Sequence, residues 1–174
     1  MRRRRFVAAF TSALVLAFAA SSFTLGAAPH RTVTLTDNCD PASFNAVLGA
    51  GACVRSGGGL KFDKFVAQLI SHGQAPSWHF SPRQIKIQAG GTITARNTGG
   101  EFHTFTQVAA FGGGCVDEVN ELVGLTPVPE CFDPTTELNG VPPGGTLDIT
   151  PIGGGTSLFQ CIIHPWQRVT VTGT

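Results

Sequence analysis

Between Trp78 and Thr174 the chain alternates polar and apolar residues in short runs, and Gly, Pro or Asn stops each one. Arg83–Gln88, Thr92–Arg96 and His103–Val108 form a first group. Thr146–Thr150, Ser157–Ile162 and Arg168–Thr172 form a second. Period-two alternation puts neighbouring side chains on opposite faces of a strand, so each run can bury one face and wet the other. Six such runs separated by turn residues predict a β-sandwich over residues 76–174. Between the groups, Phe111–Gly145 shows no period and is rich in Gly and Pro, so a long loop is expected there.

Upstream of the strands the pattern changes. Phe62, Phe65, Val66, Leu69 and Ile70 recur at helical spacing, and Gly73 follows, predicting one helix over 60–72 with an apolar packing face. Pro29–Gly59 reads as irregular. Residues 29–75 are therefore expected to form an N-terminal extension to the sandwich.

Residues 1–28 read as a secretory signal. Met1–Arg5 is basic, Phe6–Ala20 is almost wholly apolar, and Ser21–Ala28 holds small residues. The apolar run falls short of the roughly 20 residues of a spanning helix, which disfavours a retained anchor. Arg3-Arg4-Arg5-Phe6-Val7 also loosely fits a twin-arginine export signal. A secreted or periplasmic location is expected, with no stable membrane span in the mature chain. Removing the leader takes away four arginines and no acid. Eight basic residues then face 11 acidic ones, a net charge of −3. A nucleic-acid partner is not expected from such a balance.

Export sets the meaning of the five cysteines, because disulfides persist outside the cytosol. Cys39 and Cys53, and Cys115 and Cys131, lie at short separation in Gly/Pro-rich sequence. Pairs 39–53 and 115–131 are expected, although four cysteines permit three pairings. Cys161 differs, since it sits in the apolar run 157–163 with a histidine three residues later, and it is expected to stay free.

Chemistry gathers around that cysteine in Phe159-Gln160-Cys161-Ile162-Ile163-His164-Pro165-Trp166-Gln167, with His103 upstream. Taken singly, His103 is an ordinary strand side chain and Cys161 an ordinary core thiol. Together, one thiolate and two imidazoles make a His₂Cys set, which suits a trigonal copper site with a weak axial ligand. His30, His72 and His79 read as structural or exposed.

The segment resembles the ligand loop of the cupredoxins, the plastocyanin/amicyanin/azurin family of blue copper proteins. It is most similar to their short Cys-x-x-His-Pro-x-Met form. Glu101-Phe102-His103-Thr104-Phe105 resembles the strand that carries the first histidine. The resemblance spans about residues 78–174. It implies an all-β, Greek-key cupredoxin sandwich, here with one N-terminal helix and a long disulfide-stapled loop. Carried over by position, it implies one type 1 copper ion held by His103, Cys161 and His164, with Gln167 in the axial place. It also implies that His164 lies near the surface and His103 deeper, and that Thr104 donates to the Cys161 sulfur. Pro165 and Trp166 would flank the ligand edge.

Gln167 departs from the family pattern. The only methionine is Met1, which leaves with the signal, so no Met ligand is possible. The Gln167 carbonyl oxygen can act axially, and a lower potential than in a Met-ligated homologue is expected.

The implied function is single-electron transfer between transient redox protein partners, by a monomer that is not an enzyme. A copper storage or chaperone protein is the competing reading, but Met-rich and paired-Cys motifs are absent. Multicopper oxidases and nitrite reductases need further His pairs of the His-x-His type, which the chain lacks.

Overall fold

The structure, a computed structural model, describes residues 28–174. The predicted leader lies outside the described residues, apart from its last position. Two four-stranded sheets pack face to face. The first has the order β2-β1-β4-β8, from His79–Ser81, His30–Thr36, Thr92–Asn97 and Thr146–Ile149. The second runs β3-β10-β9-β6, from Gln84–Ile87, Arg168–Gly173, Gly155–Gln160 and Thr106–Val108. A short pair, β5 (His103–Thr104) with β7 (Gly140–Val141), adjoins them.

Alternation in the sequence becomes the core. Val33, Leu35, Phe80, Ile93 and Ala95 point inward from one sheet, and Ile85, Phe159, Val169 and Val171 meet them from the other. Phe105 stacks on Phe159 with ring centroids 4.6 Å apart, joining the strand of the first histidine to the strand that leads into Cys161. Strand pairing mixes directions: β1 runs parallel to β4 and β3 parallel to β10, while β9 and β10 are antiparallel. Among the described residues, β9 and β10 are the only sheet neighbours joined by a short loop. That loop, 161–167, carries Cys161, His164 and Gln167.

Residues 29–75 hold more regular structure than the sequence pattern suggested. Pro29–Gly59, read as irregular, contains β1 and the helix α1 (Pro41–Leu48). β1 lies between β2 and β4, inside the sheet. α1 is only eight residues long, too short to show a clear helical period, but it carries a start signal. The Asp40 side chain accepts from the Ser43 amide at 2.9 Å, and Pro41 takes the first turn. The expected helix forms as α2 (Phe62–His72), closed by Gly73 in the left-handed region at φ 66°. Its buried stripe is narrower than predicted: Phe65 and Leu69 are buried, whereas Ile70, at the edge of the stripe, is 66% exposed. The 111–145 loop also contains unexpected structure, a third helix α3 (Asp117–Val123) and a short 3-10 turn at Pro129–Cys131.

The disulfides pair as expected, Cys39 with Cys53 and Cys115 with Cys131, and Cys161 is free and buried. The first disulfide belongs to a second apolar cluster, built from Phe44 of α1, Phe65 and Leu69 of α2, and Trp78. Leu122 and Val123 of α3 and Trp166 of the ligand loop pack against it. The three helices therefore gather at the end of the sandwich where the ligand loop turns. No helix among the described residues is long and apolar enough to cross a membrane.

Candidate metal centre

Cys161 Sγ lies 3.9 Å from His103 Nδ1 and 3.7 Å from His164 Nδ1. One ligand atom from each of the three residues lies within 4.8 Å of the others, and all three residues are buried. The backbone explains the convergence. Gln167 donates its amide to the His164 carbonyl at 2.9 Å, and Cys161 donates to the Gln167 carbonyl at 3.0 Å. These bonds close the loop tightly and turn His164 back over Cys161. β5 brings His103 from the neighbouring strand pair.

Thr104 ties the two ligand-bearing segments together. Its amide donates to Cys161 Sγ at 3.5 Å, and its hydroxyl accepts from the Ile162 amide at 3.0 Å. The His164 amide also donates to Sγ, at 3.4 Å. Burial opposes ionisation of Cys161, but the two imidazoles outweigh it and hold the thiol well below its ordinary range. The two imidazoles thus favour the thiolate, the form that binds metal.

Two buried carboxylates, neither marked by the sequence pattern, support the imidazoles from behind. Asp37 follows directly after β1. Its Oδ2 sits 3.1 Å from His103 Nε2 and accepts from the Glu101 amide at 2.9 Å. Its Oδ1 accepts from the Cys39 and Gly100 amides at 3.2 and 3.0 Å. Burial raises the Asp37 pKa, yet these donors more than offset it and leave the group well below the usual carboxylate range. Burial likewise pulls His103 down, but Asp37 and Cys161 push it up to about 9. With Nε2 held by Asp37, Nδ1 is the nitrogen aimed at Cys161. Partners of this kind fix the ring and tautomer of metal-binding histidines.

Glu101 serves the other ring. Its Oε2 lies 3.7 Å from His164 Nε2 and accepts from the Trp78 indole. Burial raises its pKa, against the pull of His164 and Trp78. His164 is 4% exposed and His103 fully buried, and His164 lines an apolar cavity between α2 (Phe62–His72) and α3 (Asp117–Val123). Phe65 of α2 and Trp166 both present ring edges to it, at centroid distances of 6.5 and 5.6 Å. The helical cluster, which covers the end of the sandwich, causes this burial.

Gln167 is fully buried and half satisfied. Its Nε2 donates to the Thr36 carbonyl at 2.9 Å, while its Oε1 has no hydrogen-bond partner. A buried carbonyl oxygen without a partner is costly unless something binds it. The donor set passes a geometric test as well. Bonds of about 2.0 Å to nitrogen and about 2.3 Å to sulfur, with an angle near 120° between them, require S···N separations of about 3.7 Å. The observed distances, 3.7 and 3.9 Å, lie close to that value. The three donors fit a trigonal His₂Cys metal, and the same loop offers the unpartnered Gln167 oxygen. A second convergence, Asp37, Cys39 and Glu101, is not such a set, because Cys39 is disulfide-bonded.

Comparison with known structures finds distant likenesses. The chain is similar to a purple cupredoxin from Nitrosopumilus maritimus, at 14% identity over 83% of this chain and 99% of that one, with a TM-score of 0.44. It is also similar to the amicyanin of Paracoccus versutus, at 19% identity over 55% of this chain and 73% of the other, with a TM-score of 0.37. At these identities and TM-scores the likeness carries no conclusion about this chain. Two packed four-stranded sheets with three helices at one end agree with the β-sandwich that the sequence pattern predicts. No family model and no curated protein sequence matches the chain.

Proposed function

We propose that this chain is an exported type 1 copper protein that carries single electrons between redox protein partners. The observation that carries the reading is the orphaned Gln167 Oε1 in the loop that also brings Cys161 and His164 together with His103. In this reading His103, Cys161 and His164 hold the ion and Gln167 offers the axial oxygen. Copper there supplies a one-electron couple.

The chain's own residues make that couple workable. Asp37 holds the His103 ring, and the amides of Thr104 and His164 fix the sulfur. Burial of all four residues keeps bulk water away. A site held this firmly cannot rearrange much between oxidation states, which keeps electron transfer fast. A storage or chaperone role, by contrast, calls for open, exchangeable ligands. Two disulfides support an oxidising compartment.

The test is direct. Cu(II) added to the purified protein is expected to give an intense thiolate-to-copper absorption in the visible region, reversibly bleached by a one-electron reductant. Cys161→Ser is expected to abolish it. A colourless protein, or colour that survives Cys161→Ser, overturns the reading.

A further inference from the structure

His164 is only 4% exposed, so an electron needs a route from its ring to the surface. Trp166 offers one. Its ring lies 5.6 Å from that of His164, nearly edge-on at 65°. The indole Nε1 is tied inward, donating to the Ala75 and Trp78 carbonyls at 3.2 and 3.1 Å. The half-buried ring also forms part of the wall of a surface notch of about 360 Å³ that Arg83 and Arg168 share.

The charge of this notch is uncompensated. Arg83 is exposed. Arg168 donates to two backbone carbonyls, Pro165 at 2.6 Å and Gly112 at 2.9 Å, and its guanidinium lies over the Phe111 ring. Neutral carbonyls and a ring hold a guanidinium in place without cancelling its charge. Among the described residues neither arginine makes an ion pair, and no acid lines the notch. The chain beyond the leader is otherwise net negative, so the pair stands out as a local positive spot beside an aromatic ring.

We infer that this notch is the docking surface for an acidic redox partner, with Trp166 as the bridge for the electron to and from His164. The inference rests on the copper reading above. Complementary charge steers encounter and orients it, while brief redox contacts need only a small interface.

The copper-loaded, reduced protein can be oxidised by hexacyanoferrate(III), an anionic probe. One electron leaves the site, the probe becomes hexacyanoferrate(II), and no proton moves. Arg83→Glu is expected to slow this reaction about 3- to 10-fold at low ionic strength, with the gap closing in high salt. Arg96→Glu changes the net charge equally on an exposed position of β4, in the opposite sheet, and is expected to leave the rate close to wild type. A cationic cobalt(III) tris-phenanthroline probe is expected to react faster with Arg83→Glu. Trp166→Leu is expected to slow both probes at least tenfold with the visible band retained. Equal rates for Arg83→Glu and Arg96→Glu overturn the notch. So does an unslowed, coloured Trp166→Leu protein, which would place transfer elsewhere, such as the apolar cavity between α2 and α3 that reaches His164. If Trp166→Leu fails to fold, the comparison of the two exposed arginines still decides. A colourless wild-type protein overturns the copper reading itself.

Discussion

Asp37→Asn is the substitution through which the candidate centre is most sharply tested. The Asp37 side chain is fully buried. Oδ1 accepts two amide protons, and Oδ2 accepts one more and faces His103 Nε2. Asparagine can keep the first oxygen's bonds, but its NH₂ would then confront the Glu101 amide and the His103 N–H, placing donor against donor. Two charge-assisted bonds are lost, at about 1.5–3 kcal/mol each, and breaking a buried ion pair costs about 3–5 kcal/mol. The metal-free protein is expected to lose about 3–5 kcal/mol by urea denaturation. Copper affinity is expected to fall about 10- to 100-fold, because His103 loses the partner that orients it. The pH dependence follows from the two shifted groups. Asp37 titrates low in the fold, so its contribution is complete above the ordinary carboxylate pKa of about 3.9 and fades as pH falls. His103 titrates high, so its share is complete below about 6.5 and is lost as pH rises through about 9. For metal-free protein the stability gap between wild type and Asp37→Asn should therefore be widest between about pH 4 and 6.5. A gap below about 1 kcal/mol in that window, or one that does not narrow on either side, would refute the ion-pair account of His103.

Three further outcomes are expected. Gln167→Met should raise the midpoint potential measured by redox titration, because a thioether favours Cu(I) more than an amide oxygen does; an unchanged or lower potential removes Gln167 from the axial position. Gly99→Ala should resemble Asp37→Asn in both stability and copper affinity, since a Cβ at Gly99 would collide with the Asp37 carboxylate; wild-type values in both assays would show that Asp37 is free to move. Replacing Cys115 and Cys131 together by Ala should cost about 3 kcal/mol of stability, the chain-entropy value for a loop of this size. The visible band should survive that change, because neither cysteine belongs to the ligand set.

The sandwich and the convergence of Cys161 with His164 were legible because both are local patterns. Alternation at period two reports burial of one strand face, and Ile85, Ile93, Val169 and Val171 occupy such inward positions. Cys161 and His164 share one loop, so their spacing survives in the sequence. Asp37 was not legible. It lies 66 residues from His103, and a single acid after a strand carries no local mark of burial. Glu101 stood two residues before His103, but its role depends on Trp78, which the helical cluster brings to it. α1 and α3 were missed for their brevity, though Asp40-Pro41 and Gly124 are recognisable boundary residues. β1 was readable in Thr32-Val33-Thr34-Leu35-Thr36. Its isolation from the other strands, not its pattern, obscured it.

Parallel pairing of β1 with β4 is what brings the distant acid to the centre. Leu35 opposes Asn97 in that register, so the chain after β1 emerges beside the turn at 98–101. There Asp37 meets the Gly100 and Glu101 amides, and Asn97 steadies the same turn by donating to the Glu101 and Val141 carbonyls. The Cys39–Cys53 bond follows two residues on, and α2, further along, covers His164. One segment thus sets the hydrogen bond behind the first histidine and the lid over the second. A slip of one residue between β1 and β4 would turn Val33 and Leu35 outward and carry Asp37 away from His103 at the same time. Sheet register and ligand orientation are therefore a single variable in this fold, and the candidate centre can form only when the N-terminal strand is correctly paired.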